Sequence, residues 1–161
     1  LNKKMKSLKL DLGGLYEYQQ NRPPYLMIDA ADEVIPGVSA RGYKKLSQND
    51  WWFEVHWPGD PNMPGMLQIE ALVQLGALTV LTLPGNKGKE TLFVSVFSKF
   101  KKEVLPGDKF VLETKVTSWK RGLLKGVGVG YTNGTVACEA EMVITLPDIL
   151  EKYLPSKENL K

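Results

Sequence analysis

The sequence predicts an α+β fold in which a curved, mostly antiparallel sheet of about six strands wraps around one long buried helix. Three observations predict it. Residues 66–83 contain no proline, carry a single charge, Glu70, and stop at Pro84-Gly85. A segment that long and apolar on every face is a helix buried all round. Residues 135–146 alternate with a period of two, the mark of a half-buried strand. Strand-like segments lie before and after the helix and are not interleaved with further helices, which is the order of an α+β domain. Composition agrees: 161 residues, 43% hydrophobic and 24% charged, can bury a core without covalent staples, so residues 1–161 are expected to form one domain.

Taken in order, residues 1–10 are polar and basic and are expected to form a loose arm. Residues 11–20 read as a short helix weakened by Gly13 and Gly14. Asn21-Arg22-Pro23-Pro24 must then be extended or turned, because each proline disfavours helix before it. Tyr25-Leu26-Met27-Ile28 opens a strand expected to reach Ile35, where Pro36-Gly37 makes a turn into a partner strand over residues 38–46.

Residues 47–64 have no period; they hold Pro58, Pro61, Pro64, the pair Trp51-Trp52 and the lone histidine. A long irregular segment in a small domain is usually functional or disordered, and the aromatic content argues for function. After the helix, strands are expected over residues 91–101, 110–118, 123–131 and 135–146. Lys120-Arg121-Gly122 turns the chain, and Asn133-Gly134 is a type I′ hairpin signal. On the last strand Val136, Cys138, Ala140, Met142, Ile144 and Leu146 face one way, with Glu139, Glu141 and Thr145 opposite, so Cys138 reads as a core thiol. Residues 148–161 are left as a C-terminal tail. Two strands, one central helix, then four strands is the hot-dog arrangement.

The same inventory excludes several functions. One cysteine permits no intrachain disulfide and no cysteine-based zinc site, and one histidine permits no His-rich metal site. A net charge of +3 is too weak to argue for nucleic acid. Lys3, Lys4, Lys6 and Lys9 are not followed by the apolar run of a secretory signal, so the expected location is the cytoplasm. The long helix would span about 27 Å, short of a bilayer core of roughly 30 Å, and it carries Gln68, Glu70 and Gln74. A membrane span is therefore not expected.

Chemistry concentrates between Trp52 and Gln74. His56 sits in a proline-held loop, and Pro64-Gly65 opens the buried helix, whose first N–H groups have no helical partner. Those donors and the positive end of the helix can hold a carbonyl oxygen that gains negative charge. Glu70 is the helix's one ionisable group, and Gln74 lies four residues on, on the same face, within reach of it. Each residue has a bland reading: a loop histidine is more often structural, and a glutamate near a helix start can simply satisfy backbone donors. Together they suit proton abstraction next to a carbonyl.

The run His56-Trp57-Pro58-Gly59-Asp60-Pro61-Asn62-Met63-Pro64-Gly65-Met66-Leu67, followed by Glu70-Ala71 and Gln74, resembles the signature of the (3R)-hydroxyacyl-acyl carrier protein dehydratases of FabZ type. Asn21-Arg22-Pro23-Pro24-Tyr25-Leu26-Met27-Ile28-Asp29 and Phe100-Lys101-Lys102-Glu103-Val104-Leu105-Pro106-Gly107-Asp108 resemble two flanking motifs of that family. The resemblance implies a lyase without cofactor or metal that removes water from a 3-hydroxyacyl thioester to give a trans-2-enoyl thioester in fatty-acid or related acyl-chain biosynthesis. It implies His56 as the group taking the C2 proton and Glu70 as the group holding the hydroxyl. It implies Gly65, and Val55 beside it, as backbone donors to the thioester carbonyl, supported by Gln74 and Pro64. The chain departs from the family's pattern at Val55, usually glycine, at Trp57, usually phenylalanine, and at Asn21, usually histidine.

The implied partners are an acyl carrier protein with a phosphopantetheine-linked acyl chain and a second copy of the chain, as a homodimer or a trimer of dimers. His56 of one copy would face Glu70 of the other. Residues 99–125 carry eight basic and three acidic side chains, a candidate dock for an acidic carrier or simply a solvated sheet edge. A helix too apolar for one sheet to cover points independently to a second copy. Two other functions stay open: a hot-dog thioesterase, and a non-catalytic acyl-binding protein of the same fold.

Overall fold

The computed structural model describes residues 5–155. Seven strands form one antiparallel sheet: β1 (Leu8–Leu10), β2 (Ala30–Ile35), β3 (Ser39–Lys45), β4 (Leu92–Phe100), β5 (Lys109–Lys120), β6 (Leu123–Thr132) and β7 (Thr135–Thr145). Their order across the sheet is β1-β2-β3-β5-β6-β7-β4, so β1 and β4 are the edges. The helices are α1 (Leu12–Tyr18), α2 (Trp52–Val55), α3 (Gly65–Leu81) and α4 (Pro147–Leu150). The α+β hot-dog arrangement read from the sequence is therefore the one observed, with α3 lying against β3, β5, β6 and β7.

Local chemistry explains the well-defined turns. Arg121 and Gly122 between β5 and β6, and Asn133 and Gly134 between β6 and β7, all have positive φ. That is the type I′ geometry whose twist matches the flanking strands, and it favours Asn and Gly. Where β6 meets α3, a glycine makes room for neighbouring side chains: a Cβ on Gly128 would lie 2.8 Å from Met142 Cε and 3.1 Å from Leu72 Cδ2. On the helix side, a Cβ on Gly76 would lie 3.3 Å from Met142 Sδ.

Four expectations need correction. The arm expected over residues 1–10 contains β1, in which Leu8 pairs with Val34 and Leu10 with Ala31; residues 1–4 lie outside the described part. The strand expected from Tyr25 begins only at Ala30. Leu26, Met27 and Ile28 are buried instead against α3, where the Met27 N–H donates to Gln74 Oε1 at 2.8 Å. The tail expected from residue 148 starts with α4 and a 3₁₀ turn at Glu151–Tyr153, and residues 156–161 lie outside the described part.

Finally, α3 is buried by its own chain from Ala71 to Leu81, and its exposed part is the first turn, where Met66 is 66% exposed. The uncovered helix face that suggested a second copy is thus covered from within, in part by residues 26–28. The exposed apolar surface lies elsewhere, on edge strand β4, at Leu92, Phe93, Val94, Phe97 and Phe100. No helix among the described residues is long and apolar enough to cross a membrane.

Candidate active site

The segment that had no period folds into α2 and a loop. His56 ends α2, its N–H donating to the Trp52 carbonyl at 2.8 Å, while Trp52 and Phe53 are buried as anchors. The half-buried His56 ring places Nδ1 3.0 Å from the Asn62 carbonyl oxygen. A carbonyl only accepts, so Nδ1 carries the proton and Nε2 is left as the basic nitrogen. Trp57 follows with φ of 53° and its side chain exposed. A left-handed conformation is uncommon for a tryptophan and marks a chain held by its surroundings. Val55, the last residue of α2, is 72% exposed, so the side chain that replaces a hydrogen atom at this position points outward.

Pro64 caps α3, its carbonyl accepting from the N–H groups of Leu67 (2.9 Å) and Gln68 (3.1 Å). The N–H groups of Gly65 and Met66 donate to no acceptor among the described residues. They form a free helix N-terminus suited to an anionic oxygen. A side chain at Gly65 is impossible without movement: its Cβ would stand 2.8 Å from Phe100 Cε1 and 2.9 Å from Cζ. The edge strand β4 thus presses an aromatic ring against the helix start.

Glu70 lies one turn further in and is half-buried. Gln74 Nε2 donates to Glu70 Oε1 at 2.8 Å and to the Tyr25 carbonyl at 2.9 Å, while its Oε1 accepts from Met27. One amide therefore ties residues 25–27 to the helix and fixes the carboxylate. Burial, and then the negative charge of Glu70, push the Tyr25 phenol above its ordinary range. No hydrogen bond joins His56 to Glu70 among the described residues; each is held by its own partner.

A cavity of about 560 Å³ opens beside the helix start, lined by Asn62, Gly65, Gln68, Phe100, Lys101 and Lys102 among others. Sequence reasoning singled out His56, Gly65, Glu70 and Gln74 but missed Phe100, Gln68 and Asn62. Asn62 acts through its backbone carbonyl, for which no side-chain signal exists, and Phe100 comes from a strand 35 positions away. Cys138 is buried among core residues, and burial raises its thiol from 9.0 to about 11, as for an inert core cysteine. The described residues hold no cluster of three or more metal-binding side chains.

Known proteins bear on this geometry directly. The family model of the FabA-like domain matches residues 20–141. The 3-hydroxyacyl-[acyl-carrier-protein] dehydratase FabZ of Bacillus licheniformis is 40% identical over 138 residues, covering 85% of this chain and 96% of that protein. The FabZ of Roseiflexus castenholzii is 42% identical over 127 residues, covering 78% and 89%.

Among solved structures, the dehydratase heterocomplex ApeI:P from Xenorhabdus doucetiae superposes with a TM-score of 0.73 at 11% identity, covering 86% of this chain and 95% of that one. A hypothetical thioesterase from Streptococcus pneumoniae, in complex with coenzyme A, gives 0.57 at 13% identity, covering 72% and 83%. The structural likenesses establish the fold, while the sequence identities reach further: this chain belongs to the FabA-like domain family, among the FabZ-type 3-hydroxyacyl-[acyl-carrier-protein] dehydratases.

Proposed function

We propose that the chain dehydrates a carrier-bound (3R)-3-hydroxyacyl thioester to the trans-2-enoyl thioester in the cytoplasm. The carrying observation is the free N-terminus of α3 at Gly65 and Met66, with Glu70 one turn inside it and the His56 loop leading into it. The thioester carbonyl accepts from the Gly65 N–H, and Val55, at the end of α2, lies next to the base. This acidifies the C2–H bond by stabilising the charge that develops on oxygen. His56 Nε2 takes the C2 proton, and the freed electron pair becomes the C2=C3 bond as the C3–O bond breaks. The hydroxyl, held by Glu70, receives that proton from His56 and leaves as water. Gln74 holds the carboxylate in place, and Pro64 fixes the helix start.

The active site in this reading combines His56 of one copy with Glu70 of another. The separate anchoring of the two residues supports it, as does the exposed apolar edge of β4. A homodimer, or a trimer of dimers, is the assembly this requires.

The carrier docks where the basic residues gather. Strand register splits them: Lys101 and Lys102 follow β4 beside the cavity, and Lys109 begins β5 opposite Lys45, whereas Lys120 and Arg121 lie at the turn at the other end. The first group is the dock. The deciding experiment incubates the protein with a 3-hydroxyacyl carrier-protein thioester. Enoyl absorbance supports the proposal; free thiol without enoyl product would make the protein a thioesterase, and neither product would make it a binding protein.

A further inference from the structure

Gln68 is 4% exposed, and its two amide atoms fare differently. Nε2 donates to the Met63 carbonyl at 3.1 Å. Oε1 is buried with no hydrogen-bond partner. Exchanging the two atoms does not repair this, because oxygen would then face the Met63 carbonyl oxygen. A buried amide oxygen without a donor costs about 1–3 kcal/mol, so such an atom calls for a donor from outside the chain, a water or a ligand group. Gln68 lines the cavity at the start of α3, together with Gly65 and Lys101. Residues three apart on a helix share a face, so Gln68 sits over the same turn as the free Gly65 N–H.

We propose that Gln68 Oε1 accepts a hydrogen bond from an amide N–H of the substrate's pantetheine arm, making Gln68 a specificity residue for amide-bearing thioesters. The inference rests on the dehydratase reading for the identity of the arm. In that arm the thioester sulfur is followed by two methylenes and then an amide N–H. With the thioester carbonyl on the Gly65 N–H, this donor falls about one helical turn away, the separation of residues 65 and 68. Gln68 Oε1 is closed to solvent, so the arm reaches it by a turn of the side chain toward the cavity. The site then offers one donor and one acceptor to a ligand that presents one acceptor and one donor in the same order. Lys101, which pairs with Glu139, and Lys102 line the same cavity and supply positive charge for the arm's phosphate.

The test uses two small ligands, the butyryl thioester of N-acetylcysteamine and its oxygen analogue, the butyryl thioester of 2-acetoxyethanethiol, which lacks the N–H. Wild-type protein should bind the amide ligand roughly tenfold more tightly, the value of one hydrogen bond to a buried acceptor. In Gln68→Met, which removes the acceptor, the preference should fall to within about twofold. A merely structural role for Gln68 would weaken both ligands equally.

Equal wild-type affinity for the two ligands would overturn the inference, as would a folded Gln68→Met variant that keeps the preference. Should that variant fail to fold, isotope-labelled wild-type protein decides. The Gln68 side-chain carbonyl resonance should move with the amide ligand and stay with the ester, and no difference would overturn the proposal. The 3-hydroxy forms of the same ligands report on the dehydratase reading separately. Absence of enoyl product with the binding preference intact would remove that reading and leave this one standing.

Discussion

Replacing Gly65 by alanine tests the helix start with a displacement that can be worked out in advance. The added Cβ would stand 2.8 and 2.9 Å from two carbons of the Phe100 ring. Carbon atoms rest at about 3.5–4.0 Å, so ring or helix start must yield by roughly 0.6–1.2 Å. Phe100 is 50% exposed, so its ring can give partly and the cost in stability should stay near 1 kcal/mol. Whatever the ring does not absorb shifts the Gly65 N–H. A donor moved by that amount leaves the 2.7–3.2 Å range of a good hydrogen bond.

Loss of one such donor costs about 10²–10³ in turnover. Gly65→Ala should therefore lower kcat by at least about tenfold and as much as 10³, with Tm little changed. Adding Phe100→Ala removes the obstacle, and Gly65→Ala/Phe100→Ala should recover at least about tenfold over Gly65→Ala, a coupling expected only of residues in contact. Enoyl absorbance at saturating thioester, with thermal melts of each variant, provides the assay. Wild-type kcat in Gly65→Ala, or a double variant as slow as the single, would refute the steric argument.

Four further outcomes are expected. His56→Ala and Glu70→Gln should each reduce turnover by roughly 10²–10⁴ with unchanged circular dichroism, and a folded variant of near-normal rate would drop out of the mechanism. Co-refolding these two inactive variants in equal amounts should restore about a quarter of wild-type activity, because half the random dimers are mixed and each has one intact site; zero recovery with mixed dimers present contradicts a shared site. Lys101→Glu with Lys102→Glu should depress kcat/KM for carrier-bound substrate, and salt should do the same, more than either does for a coenzyme A thioester, while Lys120→Glu should leave both rates alone. Because burial raises the folded-state thiol of Cys138 from 9.0 to about 11, its contribution to stability should be full below about pH 9 and decline as pH rises toward 11, and the decline should shrink in Cys138→Ala, the raised Tyr25 phenol leaving a remainder.

The parts of this fold that were legible from sequence are those written in local chemistry. Asn133-Gly134 and Arg121-Gly122 carry the positive φ values that their hairpins need, and the alternation along β7 matches its burial from Cys138 to Ile144, while Ala137 and Thr145, on the other face, are buried as well. The apolar run read over residues 66–83 is the helix α3, which starts one residue earlier and ends at Leu81. What stayed hidden depends on distant partners. Residues 26–28 look like a strand because they are apolar, yet Met27 donates to a helix side chain and not to a neighbouring strand. The three residues of β1 are too short to show a period, and they are strand because β2 offers an open edge. His56, Glu70 and Gln74 stand out as isolated polar groups in an apolar setting, whereas Phe100 is one exposed aromatic among several until its ring is found against Gly65.

The glycine at position 128 of β6 has a consequence for how α3 keeps its place. Ridges of side chains ordinarily lock a helix into the grooves of its neighbour. Here a missing side chain makes the groove: Leu72 of α3 and Met142 of β7 fill the space that a Cβ on Gly128 would take. That seam keys the helix to the sheet like a tooth in a notch, and polar contacts pin it elsewhere. Toward its C-terminus Asn86 Nδ2 grips the Val80 carbonyl and the Gly37 N–H grips that of Thr79; at mid-helix Gln74 grips both Tyr25 and Met27. The mid-helix pin is the same amide that holds the Glu70 carboxylate, so loosening Gln74 would disturb alignment and chemistry in a single stroke.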